Sequence, residues 1–238
     1  MMSFKKNTMD SSAFQGFTPE TFRFLFEIYF NNNTEWFEQN RSRYVKYVQQ
    51  PMKQLAAALS PTVLSIDPEF NIKPTAVVSR IRRDTRFTRD KSPYRDHVWL
   101  GFRHPNTRIS EGITLWFEIT PKGYDYGVGF YSANSEFMQD YRKKLISDPA
   151  GFLHLAHALE KERFFYSADA YKKQHFPDVL PELQPYINVK GFAWEKNHEG
   201  VADLLEPSDI LDRLKREFLL LKPMYDYINS IPTANSAD

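Results

Sequence analysis

Two neighbouring stretches of the chain alternate strictly, and that alternation limits the fold more than any other feature. Ile113, Leu115, Phe117 and Ile119 occupy every second position, and Tyr124, Tyr126, Val128 and Phe130 do the same beyond Thr120-Pro121-Lys122-Gly123. A period of two places each set on one face of a strand. Two such strands joined by a short turn predict an antiparallel hairpin. Parity then sets its register, because a one-residue slip would carry a whole apolar set to the wrong face. With both sets on one face, Ile119 pairs with Tyr124 across a four-residue loop. Trp116 then faces Gly127, which leaves room for the indole, and Glu118 faces Asp125. Like charges at directly opposed positions are unfavourable unless a cation stands nearby.

Helical signals flank this hairpin. Thr18-Pro19-Glu20 is a helix start, with Thr18 as N-cap, Pro19 at the first helical position and Glu20 complementing the positive helix end. Phe22, Leu25, Phe26 and Tyr29 then mark one face. Asn31-Asn32-Asn33 breaks the helix, and a second begins near Thr34, with Phe37, Tyr44, Val48, Met52, Leu55 and Leu59 on its apolar stripe. Pro51 lies inside that stripe and predicts a kink or a division. Residues 76–82 and 98–103 alternate and predict strands. Two helices follow Asn134 and Asp148-Pro149. The prolines at 177, 181 and 185 predict loop with short helical pieces over 164–185. Residues 188–195 suit a strand. A last helix, capped by Ser208 and bent at Pro223, carries Ile210, Leu211, Leu214, Phe218, Leu221, Tyr225 and Ile228 on one stripe. The expected architecture is a single α+β domain over 14–231, with a central antiparallel sheet flanked by N-terminal and C-terminal helices. Residues 1–13 and 232–238 are polar tails.

Composition excludes several classes. A hydrophobic fraction of 42% with 16% aromatics is too rich for a disordered chain, and 238 residues suffice for a sizeable core. The sequence has no cysteine, which removes disulfide scaffolds, thiol nucleophiles, zinc–thiolate sites and iron–sulfur clusters. No apolar run approaches the roughly 18 residues of a membrane-spanning helix. The N-terminal residues lack the apolar core of a signal peptide, so a cytoplasmic setting is expected. No glycine-rich phosphate loop is present, and no cofactor is predicted.

The net charge of +1 conceals a concentration. Residues 80–97, RIRRDTRFTRDKSPYRDH, hold seven lysines and arginines against three aspartates. The remainder of the chain is therefore acidic overall. Guanidinium groups offer planar forks that match phosphate and carboxylate oxygens. Arg80, Arg82, Arg83, Arg86, Lys91, Tyr94, Arg95 and His97 are the candidate ligand-binding residues for a small phosphorylated or carboxylated anion. The competing expectation is an internal salt-bridge network through Asp84, Asp90 and Asp96, in a structural or interaction domain. Nucleic acid, contacted through these arginines with Phe87, Tyr94 and Trp99, is disfavoured by the near-neutral whole chain. Whether the protein is an enzyme stays open. The candidate catalytic pair, for a hydrolase, is His97 with Asp84 or Asp90, and Ser92 is the nearest hydroxyl. His154, His157 and Glu160 share a helical face but match no metal-binding signature, so no metal is predicted.

The same segment resembles a known family, the bacterial and fungal hypothetical proteins of domain of unknown function 2461. Its hallmark runs close to R-I-x-R-D-x-R-F-S-x-D-K-S-P-Y-K-x-H. Here Thr88 stands for the usual Ser and Arg95 for the usual Lys. Asn31-Asn32, Trp36-Phe37 and Asn40-Arg41 are similar to the family's N-terminal signature. Gly127-Val128-Gly129 is similar to its glycine-containing strand, and residues 204–229 to its closing helix. The resemblance runs from about 14 to 231 and implies one α+β domain in a soluble intracellular protein. It brings no reaction with it.

Overall fold

The computed structural model describes residues 14–86, 89–105, 107, 112–130 and 133–231. The two polar tails, and Phe87 and Thr88 of the basic motif, lie outside the described residues.

Helix α1 (Pro19–Phe30) begins where its signal stands. The Thr18 N–H donates to Thr21 Oγ1 at 3.1 Å, and the Thr21 N–H donates back to the Thr18 carbonyl at 2.9 Å. The buried face is Phe22, Phe24, Leu25 and Ile28, whereas Phe26 and Tyr29 are exposed. Spacing misplaced these two because α1 carries aromatics all round and several stripes fit a period of 3.6. Contact with Trp36 and Tyr44 selects the Phe24 side. Asn33 caps α2 (Thr34–Tyr44) by accepting the Trp36 N–H at 2.9 Å. A π-helical stretch at Val45–Gln49 then leads into α3 (Gln50–Ile66), with Pro51 in its first turn. Pro51 has no N–H for the ladder, and the expected division is made by a register slip just upstream of it.

Residues 76–82 do not form the expected strand. Helix α4 (Pro74–Val77) takes the start of that span, and only isolated bridges follow, Val78 to Leu100 and Arg82 to Tyr94. Burial alternates only over 80–82, where Ile81 is buried while Arg80 and Arg82 are exposed; Val77 and Val78 are both buried. What is missing is a continuous partner. The chain doubles back on itself, with Arg83 N–H on the Pro93 carbonyl at 2.9 Å and Arg95 N–H on the Ile81 carbonyl at 2.8 Å.

The sheet has the order β1-β2-β3-β5-β4 with every pairing antiparallel. Strands β1 (Val98–Phe102), β2 (Thr114–Ile119) and β3 (Gly123–Gly129) form a meander. The hairpin register follows the parity argument: Ile119 opposes Tyr124, Glu118 opposes Asp125 and Trp116 opposes Gly127. Helices α5 (Ser135–Ser147) and α6 (Pro149–Lys161) start at side-chain caps from Asn134 and Asp148. The span 164–185 contains a strand that periodicity missed, β4 (Phe165–Ala170). It is an edge strand, mostly exposed, so it carries no apolar alternation to detect. A short 3-10 turn and α7 (Gln184–Ile187) lead to β5 (Val189–Glu199), which runs past the expected end at 195. Helix α8 (Pro207–Asn229) has Glu206 at its N-cap position, with no side-chain capping hydrogen bond, and Ser208 falls inside the first turn. Pro207 suits the first helical position, so the helix starts earlier than the Ser208 signal implied.

One continuous core joins these elements. Leu100, Phe117 and Val128 share the sheet face on which α3 and α8 pack, and Phe102 meets Phe218 edge-on. The opposite face carries Trp99, Trp116, Glu118, Asp125 and Glu195. Gly127 is required there: a Cβ at this position would stand 2.8 Å from the Trp116 ring and 2.3 Å from the Trp194 carbonyl oxygen.

An arginine-lined cleft beside a half-buried acid pair

The doubled-back segment 80–95 is anchored from α1–α2. Asn32 Nδ2 donates to the Tyr94 carbonyl and Asn32 Oδ1 accepts the Tyr94 N–H, both at 2.9 Å. This single amide satisfies both backbone groups of one residue, as a neighbouring strand would. The Tyr94 ring is buried and stacks on Phe37 at 4.2 Å. Tyr94, a candidate ligand residue, is therefore an anchor of the loop.

The basic side chains divide into fixed and open groups. Arg86 forms a two-pronged bond to Asp84 (2.9 and 2.6 Å), and Arg83 pairs with Asp90. The Arg86 hydrogen bonds push the Asp84 carboxyl down to about 2. Asp90 is also held below its ordinary value, first by its hydrogen bonds from Ser92 and then by Arg83. Arg95 donates from one Nη1 to the Arg80 carbonyl at 2.8 Å and the Arg82 carbonyl at 3.0 Å. Lys91 caps the Thr85 carbonyl at 2.8 Å. Arg80 and Arg82 are exposed and have no ion pair among the described residues.

Arg80, Arg82, Arg83, Arg86 and Arg95 line one cleft of about 710 Å³, together with Trp99. Five of the eight candidate ligand residues are thus brought together, whereas Lys91, Tyr94 and His97 are not in its lining. The catalytic pairing of His97 with Asp84 or Asp90 does not form. His97 Nδ1 lies 2.9 Å from Asp96, while Asp84 and Asp90 are taken by arginines. Proximity along the chain misassigned these partners because the loop turns His97 into the start of the sheet.

Next to the cleft, the acid pair foreseen from parity is in place. Burial pushes the Glu118 carboxyl up to about 8, reinforced by Asp125, Asp96 and Glu195 and opposed by Arg95. Asp125 is raised by burial despite accepting the Trp116 Nε1–H at 2.9 Å, and Glu195 is raised by burial and by Asp125. The sequence offered no sign of Glu195, since β5 joins the sheet from far along the chain. Arg95 is the cation that opposes the rise at Glu118, while its Nη1 is spent on the carbonyls of Arg80 and Arg82. Among the described residues no three histidine, aspartate or glutamate side chains converge to hold a metal, and Glu160 instead accepts the Tyr186 hydroxyl at 2.9 Å. No helix among the described residues is long and apolar enough to cross a membrane.

Fold and site together define an α+β domain with one antiparallel sheet, a cationic cleft at its β1 edge and acidic groups on its outer face. The chain belongs to the conserved hypothetical protein family DUF2461, whose model matches residues 20–227. Comparison with curated proteins gives no match.

Proposed function

We propose that the domain binds a small phosphorylated or carboxylated ligand in the cleft between α4 and β1. The observation that carries this reading is the pair Arg80 and Arg82, open to solvent and without an ion pair among the described residues, beside arginines that are already fixed. Fixed side chains lose little further freedom on binding, and open guanidinium forks match oxyanions in two-pronged geometry. The salt-bridge network accounts for Arg83 and Arg86 but does not reach Arg80, and Arg82 acts only at a distance on Glu38, which is itself paired with Arg41. The reading is one of binding, in a cytoplasmic setting, and assigns no reaction.

A thermal-shift screen over phosphate-containing and carboxylate metabolites tests it. A ligand at about 100 times its Kd stabilises by about 2.7 kcal/mol. That raises the midpoint of a domain this size by about 5–10 °C. Arg82→Ala should abolish most of the rise. Arg86→Ala should keep most of it, since Asp84 already occupies that fork. A panel without a shift, or a shift equal in wild type and Arg82→Ala, overturns the proposal.

A further inference from the structure

A second cleft, of about 500 Å³, opens where β4 parts from β5 over the first half of α8, and it shares no lining residue with the arginine cleft. Four cations line it, Arg163, Lys196, Arg213 and Arg216, against two carboxylates, Asp203 and Glu217. Their pairing leaves positive charge over. Glu217 is only 4% exposed, and it takes both Lys196 and Arg216, the latter at 2.8 Å. Arg216 gives one Nη2 to that bond and its side chain stays 66% exposed, which leaves the rest of the fork open. Arg213 pairs with Asp203 at 2.8 Å and donates to the Tyr124 hydroxyl.

Arg163 has no ion pair among the described residues and is exposed. Its φ of +66° is the only positive value at a non-glycine position among the described residues. Arg163 N–H bonds the Glu160 carbonyl at 2.8 Å and Phe164 N–H bonds the Leu159 carbonyl at 2.9 Å. That is the left-handed helix terminator in which glycine is ordinarily found. An arginine there stands against the local conformational preference. Its guanidinium is delivered to the rim of a cleft that already holds excess positive charge. The floor is rigid: the His198 ring stacks on Tyr124 at 4.5 Å and 4°, and its Nε2 lies 3.2 Å from the Tyr126 hydroxyl.

We propose that this cleft is a site for a phosphate monoester, its phosphoryl group held by Arg163 and the open arm of Arg216 and its organic part set against Phe165 at the cleft wall. Charge-assisted forks on phosphate oxygens supply the recognition. His198 is kept below its ordinary pKa by burial first and then by Arg213 and Lys196, with Asp203 and Glu217 opposing.

Isothermal titration of the full chain with phenyl phosphate, inorganic phosphate and phenol tests the site. Phenyl phosphate is expected to bind, more tightly than either fragment. Arg163→Gly is expected to weaken it roughly tenfold, the loss of one charge-assisted contact. The same variant should raise the thermal midpoint by about 2 °C, because glycine adopts the terminator conformation without a Cβ clash. Arg163→Asn, which also tolerates a positive φ, should show the same loss of binding. Bound phosphate should also move the His198 imidazole titration to higher pH, since a nearby anion favours the charged ring. No saturable binding by wild type, wild-type affinity in both Arg163 variants, or an unmoved His198 overturns the site. Binding lost in Arg82→Ala but retained in Arg163→Gly also overturns it, and assigns the ligand to the first cleft.

Discussion

Glu118→Gln isolates the carboxyl that the sheet holds protonated at neutral pH. In the folded chain its pKa stands at about 8 against an ordinary 4.5, through burial first and then Asp125, Asp96 and Glu195. Between these two values the folded state binds more protons than the unfolded state. Stability therefore falls as pH rises, by up to about 1.4 kcal/mol per pH unit, and is flat above the folded-state pKa. From about pH 4.5 to about pH 7 the loss comes to about 3 kcal/mol. That is a large part of the roughly 5–15 kcal/mol that holds an ordinary domain. Glutamine keeps the shape and cannot ionise. The variant should match wild type near pH 4.5 and exceed it by about 3 kcal/mol at neutral pH. Urea unfolding followed by tryptophan fluorescence, from about pH 5 to about pH 8, gives the difference between the two proteins at each pH. Titrating groups that do not act on Glu118 cancel in that difference. A difference that stays flat across the range, or a glutamine variant less stable than wild type at the alkaline end, would refute the reasoning.

Two further substitutions probe the frame around the cleft. Gly127→Ala drives a Cβ to 2.3 Å from the Trp194 carbonyl oxygen, and should cost about 3 kcal/mol through overpacking; an unfolding midpoint equal to wild type would contradict the close approach. Asn32→Ala removes both hydrogen bonds to the Tyr94 backbone, a loss of about 2 kcal/mol at about 1 kcal/mol each. Amide exchange at Tyr94 and Arg95 should accelerate in that variant while the β2–β3 ladder stays protected, and uniform acceleration across both would show that the loop has no independent anchor.

The β2–β3 hairpin was legible to the residue. Side-chain direction in a strand depends on parity, so two alternating runs and one turn fixed every cross-strand pair from Ile119–Tyr124 to Trp116–Gly127. The helix starts at Thr18 and Asn33 were equally local, since a cap is a hydrogen bond to a group two or three residues away. Strand β4 and the span 76–82 were misread for two reasons. An exposed edge carries no apolar pattern, and an alternating segment becomes a strand only where another chain segment offers it a ladder. The stripe on α1 failed differently, because the helix has aromatics on every side and only the arrival of Trp36 and Tyr44 selects which are buried.

The sequence located the basic cluster, since charge is a count and 80–97 holds a plain excess of it. It also determined that Glu118 would face Asp125. Which arginines stay open was decided by the tertiary structure: Arg83 and Arg86 find aspartates, Arg95 finds carbonyls, and Arg80 and Arg82 find neither. The second cleft was wholly a tertiary product, assembled from a helix terminator at Arg163, strand β5 and helix α8. Periodicity and caps report interactions within a few residues of backbone. An ion pair or a cleft depends on the approach of groups far apart in the chain, and only packing brings them together.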